Sequence, residues 1–411
     1  MISRIYPKLP KKGVYFIKEA LQKEQLIEGP QIEKFEKLFA QYIGVNYGVA
    51  LGSARVAQYL LLKTLGVKKG DEVIIPAYTC PVVPSIVMAL EAVPVFVDVE
   101  LNTFNIDMNL IETKITEKTK VIIATHIEGY PCAIDGVIKI ADKYGIKVIE
   151  DCAQAIGAEY KNRKVGSFGV ASYFSLASGK QVHSMGGGIV LTNNEEINNA
   201  LRQQIMQFRF PSKKNILTKI AFAFFVDILL RPKMFLSAIY PVMFLSSFFN
   251  VDIITLLFED KGDVSTIISK FFKRYSNIQA QLAVEHLNLQ DEENIKRKQR
   301  AELLEQCFSP VVFRRQRANA ANPIYHYYSI MMAKRDHFRN RLLRAGYDSQ
   351  ITWNRACSEL EMFGNYRSYC PIAMRLAREV LYLPMHDQLQ KTSIINLANK
   401  INKMHEVNED V

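Results

Sequence analysis

None of the chain's six cysteines, Cys80, Cys132, Cys152, Cys307, Cys357 and Cys370, forms a C-x-x-C pair. That scatter argues against a structural zinc site and a disulfide scaffold, and no metal is expected. The opening MISRIYPKLPKKGVYF has no apolar h-region, so no signal peptide is expected and a reduced, cytoplasmic setting follows. Internal repeats of solenoid length are absent. Acidic residues are in short supply: 41 Asp+Glu face 52 Lys+Arg, giving a net charge of +11 and a pI near 9.2. A balance that basic favours anionic partners, whether phosphorylated small molecules, anionic lipid or nucleic acid. Nucleic acid is disfavoured among them, because the basic residues are dispersed and no RNP-like or helix-turn-helix signal occurs.

What is present is ordinary globular chemistry, with 411 residues, 49% of them hydrophobic and 23% charged. A chain this long exceeds what one hydrophobic core organises, so two domains are expected. Residues 72–75, 95–98, 121–125, 148–151 and 188–192 are short, β-branched and bounded by turns, which predicts buried strands. Amphipathic stretches at 56–65, 82–90 and 134–144 lie between them. The alternation predicts an α/β domain with a mostly parallel sheet and functional residues at the strands' carboxyl ends. Asp151, His126 and the 78–80 turn fall there. From residue 278 onward, helices at 278–287, 293–308 and 336–345 and a strand at 326–331 predict a smaller C-terminal α+β domain.

Residues 216–257 stand apart. AFAFFVDILL and two further apolar pieces are interrupted by Pro232 and Pro241, and none reaches the roughly 20 apolar residues of a spanning helix. Asp227 weakens a spanning reading further. Three readings stay open: helices buried in a core or oligomer interface, a monotopic element on a membrane surface, or, as the least favoured, a true span. Arg202, Arg209, Lys213, Lys214, Lys219, Arg231 and Lys233 support the second, since apolar helices flanked by cations bind anionic leaflets.

The chemistry-bearing pair is Asp151, ending a buried strand in IEDCAQAIGA, and Lys180, alone in the Ser/Gly-rich YFSLASGKQVHSMGGG. A buried carboxylate beside a pyridine nitrogen keeps that nitrogen protonated, so the ring can accept electrons. A partly desolvated lysine has a lowered pKa, which suits covalent attachment to a carbonyl and proton shuttling.

GPQIEKFEKLFAQYIG, GDEVIIPAYT, PVFVDVELNTFNID, KTKVIIATHIEG, VIEDCAQAIGAEY and FSLASGK follow one another in an order that resembles the DegT/DnrJ/EryC1/StrS aminotransferases. The resemblance is close over about 25–205, resumes at NIQAQLAVEHLNLQ and continues more weakly to LYLPMHDQL. It implies a fold type I transferase dependent on pyridoxal 5′-phosphate (PLP), with a seven-stranded mixed sheet in a large domain (1–270) and a small C-terminal domain (271–411). Lys180 would then carry PLP, Asp151 would pair with its pyridine nitrogen, Gln154 would approach the ring oxygen and Ser175 the phosphate. The turn Ser53, Ala54, Arg55 would cradle the phosphate at a helix N-terminus. His126 would lie beside the cofactor or serve structurally; His183 is given no role. A lysine at 180 disfavours the family's dehydratase branch, which has histidine there.

Four departures accompany the match. The usual Ser-Gly-Thr turn reads Ser53-Ala54-Arg55, where Arg55 would add a charged phosphate contact or turn away into a salt bridge. Cys80 stands where an aromatic normally stacks on PLP, leaving Tyr78 as a substitute that strand alternation would point elsewhere. Phe272-Lys273-Arg274 replaces an Asn-Tyr-Arg segment that reaches the partner subunit's phosphate, with Arg274 retained. Residues of about 215–263 look inserted.

The resemblance implies transamination from L-glutamate to a keto-sugar carried on a nucleotide or lipid, by a homodimer, in cell-surface polysaccharide or glycolipid biosynthesis. Alternatives are a PLP-dependent condensing enzyme acting on an amphiphile and a non-catalytic PLP-fold protein for membrane binding or regulation. The segments 315–323 and 353–369, with Trp353, Asn354 and Arg355, are candidates for substrate specificity. The apolar insertion would give peripheral membrane contact through about 216–257, at the inner face.

Overall fold

The computed structural model describes residues 3–4, 10, 12–249, 252, 272–310, 312, 315–317, 319–386 and 389–409. Seven strands build the main sheet: β1 (Tyr47–Leu51), β2 (Glu72–Pro76), β3 (Val93–Val97), β4 (Thr119–Thr125), β5 (Lys147–Asp151), β6 (Ala171–Ser175) and β7 (Gly188–Thr192). Their order is β1-β7-β6-β5-β4-β2-β3, and only β7 runs against its neighbours. The mixed, mostly parallel sheet expected from the sequence is therefore present. All seven strands are largely buried, covered on both faces as parallel sheets require.

Helices supply those covers, with α1 (Gly13–Gln22) packed outside them. On one face lie α2 (Gln31–Ile43), α5 (Ile134–Lys143) and α9 (Asn277–Asn288); on the other lie α3 (Ala54–Thr64), α4 (Val82–Met88), α6 (Glu195–Met206) and α12 (Pro371–Glu379). Start signals are visible where position matters. Ser53 caps α3, its Oγ accepting from Arg55 N at 3.2 Å, and Asn194 caps α6, with Glu195 and Glu196 in the first turn.

Two strands escape a sequence reading. The chain of β1 contains Gly48, where a Cβ would stand 2.8 Å from the Glu36 carbonyl oxygen. Strand β6 buries Ser172 and Ser175, and the Ser172 hydroxyl donates to Gly166 O at 2.7 Å, so a polar pattern hides a wholly buried strand.

A small antiparallel sheet of β8 (Tyr328–Met331), β9 (Gln350–Ile351) and β10 (Val380–Leu383), ordered β8-β10-β9, forms the C-terminal layer. It packs with α10 (Gln290–Cys307), α11 (Arg335–Arg344) and α13 (Lys391–Glu409) around Tyr328, Leu342, Leu381 and Leu397. The division at 270/271 falls outside the described residues. Just beyond it, α9 places Ala280, Ala283 and Leu287 in the core of the large sheet. The apolar insertion forms α7 (Lys213–Leu229) and α8 (Pro232–Phe249), both against the body of the protein; 250, 251 and 253–263 lie outside the described residues.

The two sheets are bolted together by a buried ion pair. Arg315 reaches into the large domain, donating to Thr103 O at 2.7 Å, Ile127 O at 2.8 Å and the Glu128 carboxylate at 3.2 Å, with its guanidinium 4.0 Å over the Tyr130 ring. Glu128 also accepts from the Tyr382 hydroxyl at 2.7 Å and from the Ser329 hydroxyl. Both charges are fully enclosed, so removing one strands the other. Arg315→Met should cost about 3–5 kcal/mol of stability in urea unfolding. A loss below about 1 kcal/mol, the range of an exposed pair, would contradict this role.

Candidate active site

The site grows from the carboxyl ends of β4, β5 and β6. Thr125, Asp151 and Tyr173 stand side by side in register across these three strands. Asp151 is buried, and its Oδ1 accepts from Ala153 N at 3.0 Å. Burial is the leading influence on its carboxyl group and pushes the pKa up, opposed by that amide and by Lys180. Beside it, Thr125 Oγ1 is buried with no hydrogen-bond partner among the described residues.

Lys180 lies five residues beyond Ser175, in a turn pinned by Leu176 N to Gly187 O at 3.0 Å and Ser184 N to Leu176 O at 3.0 Å. Its own amide donates to Ala177 O at 3.1 Å. Desolvation lowers the amine's pKa, opposed by nearby Cys80 and Asp151. A buried acid and a half-buried amine thus lie within electrostatic reach of each other, each partly compensating the other.

A second row lines up a corner whose donors suit an anion. Ser175 on β6, Gly188 on β7 and Leu51 on β1 are aligned, and Leu51 leads through Gly52 into the N-terminus of α3. Gly188 permits the approach: a Cβ there would sit 2.5 Å from Ala54 N. The turn Ser53–Ala54–Arg55 therefore lies directly on the strand beside Ser175. Arg274 arrives at the same edge, bridged to Leu51, while Lys273 O accepts from Gly52 N at 3.0 Å. The Arg274 guanidinium rests 4.2 Å over the Phe210 ring.

His126 N donates to Asp151 O at 3.1 Å, so β4 and β5 end together. Both His126 ring nitrogens are engaged: Nε2 with Glu150 at 3.1 Å, and Nδ1 as acceptor from Cys132 N at 3.1 Å. His126, Glu150 and Cys152 form a buried trio at metal-ligand spacing. Glu150, however, already accepts from the amides of Gly166, Phe168 and Gly169 at 2.7–2.8 Å, which makes the trio a folded knot. Gln154 Oε1 accepts from Glu128 N at 2.8 Å, holding the side chain next to the His126 strand end.

Tyr78 is placed elsewhere. Its hydroxyl is 2.8 Å from Thr352 Oγ1 and 3.4 Å from Glu128, and its ring meets the edge of Phe104, inside the interdomain network. Cys80, two residues on, is the member of that segment felt by Lys180. Asn354 joins the same network through Tyr382 at 3.3 Å, and Arg355 caps the Thr352 carbonyl. Sequence reasoning missed Glu128 and His326. His326 is buried, its N donates to Glu128 O at 3.0 Å, and both ring nitrogens lack a partner among the described residues. Lys180 and Arg297 lower its pKa after burial, so a neutral imidazole stands near the amine. The signal available was a lone histidine opening a tyrosine-rich strand, which carries no spacing cue.

These donors fit PLP: a buried acid for the pyridine nitrogen, a desolvated amine for the carbonyl carbon, and helix amides with Ser175 for a phosphate. The unpartnered Thr125 Oγ1 and His326 nitrogens are polar atoms left for a ligand to satisfy. Fold and site together define a fold type I PLP-dependent transferase.

The sequence comparisons agree. The family model described as the DegT/DnrJ/EryC1/StrS aminotransferase family matches residues 10–220 and 261–402, and the chain belongs to that family, whose cofactor is PLP. The Bacillus subtilis spore coat polysaccharide biosynthesis protein SpsC is 35% identical over 196 residues, 48% of this chain and 50% of the relative. The GDP-perosamine synthase of Escherichia coli O157:H7 is 36% identical over 192 residues, 46% of this chain and 53% of the relative. The chain thus spans about half the length of the curated relatives it matches. Among solved structures, the aminotransferase TlmJ from Streptoalloteichus hindustanus superposes with a TM-score of 0.79 at 21% identity, covering 100% of both chains.

Two outcomes are expected. Gly188→Ala should cost about 1–3 kcal/mol of PLP affinity by pushing α3 off the strand; equilibrium dialysis showing unchanged affinity would disconnect this turn from the phosphate. Because Lys180 is lowered, its free-base fraction appears earlier as pH rises. PLP attachment should therefore show a midpoint below the ordinary lysine value of about 10.4. A midpoint at or above that value in a pH-jump absorbance series would refute the desolvated amine.

Proposed function

We propose that the protein is a PLP-dependent aminotransferase moving an amino group from L-glutamate to a keto-sugar carried on a nucleotide or a lipid, in cell-surface polysaccharide or glycolipid biosynthesis. The observation that carries the reading is the desolvated Lys180 beside the buried Asp151, at strand ends that also present the Ser53–Arg55 turn and Ser175. The names of SpsC and GDP-perosamine synthase support the sugar as acceptor.

PLP, when bound, supplies an electron sink. The chain's own residues do the rest. Asp151, as the carboxylate, would accept the ring nitrogen's N–H and keep that proton on the ring, and the ring's positive charge would offset the burial that otherwise raises the Asp151 pKa. Lys180 would serve as the base that takes the donor's α-proton and, in the second half-reaction, as the acid that gives a proton to the acceptor carbon. Ser175 and the α3 amides would hold the phosphate end, which would keep the reacting carbon within reach of Lys180. Gln154, held by Glu128 N, would be the residue to meet the ring oxygen, and His126 and Arg274 would help hold the cofactor. The small domain starts beyond α9, the protein works as a homodimer, and it does so in the cytoplasm at the inner face of the membrane, touching it through about 216–257.

The test is the visible spectrum of the purified protein before and after L-glutamate, alongside Lys180→Ala. A band that glutamate converts to the pyridoxamine-phosphate form, and that Lys180→Ala lacks, is expected. A band that glutamate leaves untouched would overturn the donor and point to condensation chemistry. Absence of any band after PLP is added would overturn the enzyme reading.

A further inference from the structure

Helices α7 and α8 form a layer with one face in use and one bare. Inwards, α7 buries Ile216 and Ile220 against Ile17 and Leu282, and α8 buries Phe235 and Met243 against Leu343. Arg344 fastens the far end by donating to Ser247 Oγ at 3.1 Å and Ser247 O at 3.0 Å, and Asp252 is held by Arg4 at 2.7 Å and Arg339 at 2.8 Å. The layer is therefore a fixed surface spanning both domains. Outwards it shows Phe222, Phe225 and Ile228 from α7 and Leu236, Leu245 and Phe249 from α8. Phe225 is 59% exposed, Leu245 62% and Phe249 78%. An all-apolar helix normally lies in a core or a membrane, and an apolar face this size on a soluble surface marks a docking site.

Charge selects the occupant. Lys213 and Lys214 open α7, and Arg231 and Lys233 stand at the turn into α8. The one acid in residues 209–249, Asp227, is paired with Arg231 at 3.1 Å. A face rimmed in this way repels its own copy and attracts an anionic surface. Topology selects the depth. The chain before the layer bridges the chain after it, Leu51 with Arg274, so the two ends lie on one side of any membrane. Helix α8 is apolar and long enough to pass for a span by length and composition, yet crossing alone would tear that bridge apart.

We infer that the outer face of α7 and α8 docks flat on an anionic phospholipid bilayer, its apolar side chains at the headgroup boundary and Lys213, Lys214, Arg231 and Lys233 against lipid phosphates. The inference deepens the location proposed for the enzyme by naming the partner; it rests on that location and not on the transamination chemistry.

The test is co-sedimentation of the full chain with phosphatidylcholine vesicles, with and without phosphatidylglycerol, the cofactor band being read in the same samples. The wild type should sediment only when phosphatidylglycerol is present. Lys213→Glu with Lys214→Glu should weaken binding by at least about tenfold. Phe222→Ser with Phe225→Ser should weaken it further in high salt, where the apolar contribution remains. Retention of the cofactor band by both variants reports that they fold. A wild type that ignores both vesicles, binds both equally, or is matched by its variants overturns the docking. So does a solution mass that falls when Phe222 and Phe225 become serine, which would show a second copy covering the face. Since binding and band are read together, failure of one leaves the other standing.

Discussion

Bringing a buried carboxylate and a half-buried amine into the same water-poor corner is the constraint from which the rest of the site follows. Each alone is expensive to desolvate, and burial drives Asp151 up and Lys180 down towards their neutral forms. Together they compensate each other only if strand β5 and the Lys180 turn converge on one edge. A parallel sheet achieves this, because the carboxyl ends of β4, β5 and β6 all open on that edge. Strand β7, running the other way, returns the chain through Gly188, whose missing Cβ lets α3 bring its amides against Ser175.

The second buried pair, Glu128 and Arg315, does for the domains what the first does for the cofactor. Glu128 holds Gln154 through its amide N–H, His326 through its carbonyl, and the small domain through its carboxylate. One residue in a left-handed conformation, at φ 59°, thereby sets the distance between the sheet edge and the small domain. Segment 315–317 begins inside this lock: Arg315 spends all its donors on protein partners and is held away from solvent.

The apolar layer obeys a different economy. Its inner face is tied to both domains, so it adds no independent motion, while its outer face stays wet and apolar. A basic surface around it turns an aggregation hazard into a selective one, since a bilayer of opposite charge satisfies both features and another copy of the chain satisfies only one.

Much of the architecture was legible in the chain. β-Branched runs ending at Thr125 and Asp151, the Ser/Gly turn around Lys180 and the amphipathic helices between strands announce a parallel α/β sheet, because local periodicity and burial on both faces leave few alternatives. Family motifs in order carried the class and the cofactor. What the sequence could not supply is whatever depends on contacts between distant segments. Tyr78 enters the interdomain network because Thr352, 274 residues away, offers it a hydrogen bond. Glu128 becomes a hub only when Arg315 and Tyr382 arrive, and His326 comes under the influence of Lys180 only in the packed chain. Strand β6 stayed hidden because its serines find partners inside the fold. The sequence by itself determined the elements and the residue types at their ends. Tertiary structure decided which of those residues lose their water and to whom they turn instead, since desolvation belongs to the packed chain and to no single segment of it.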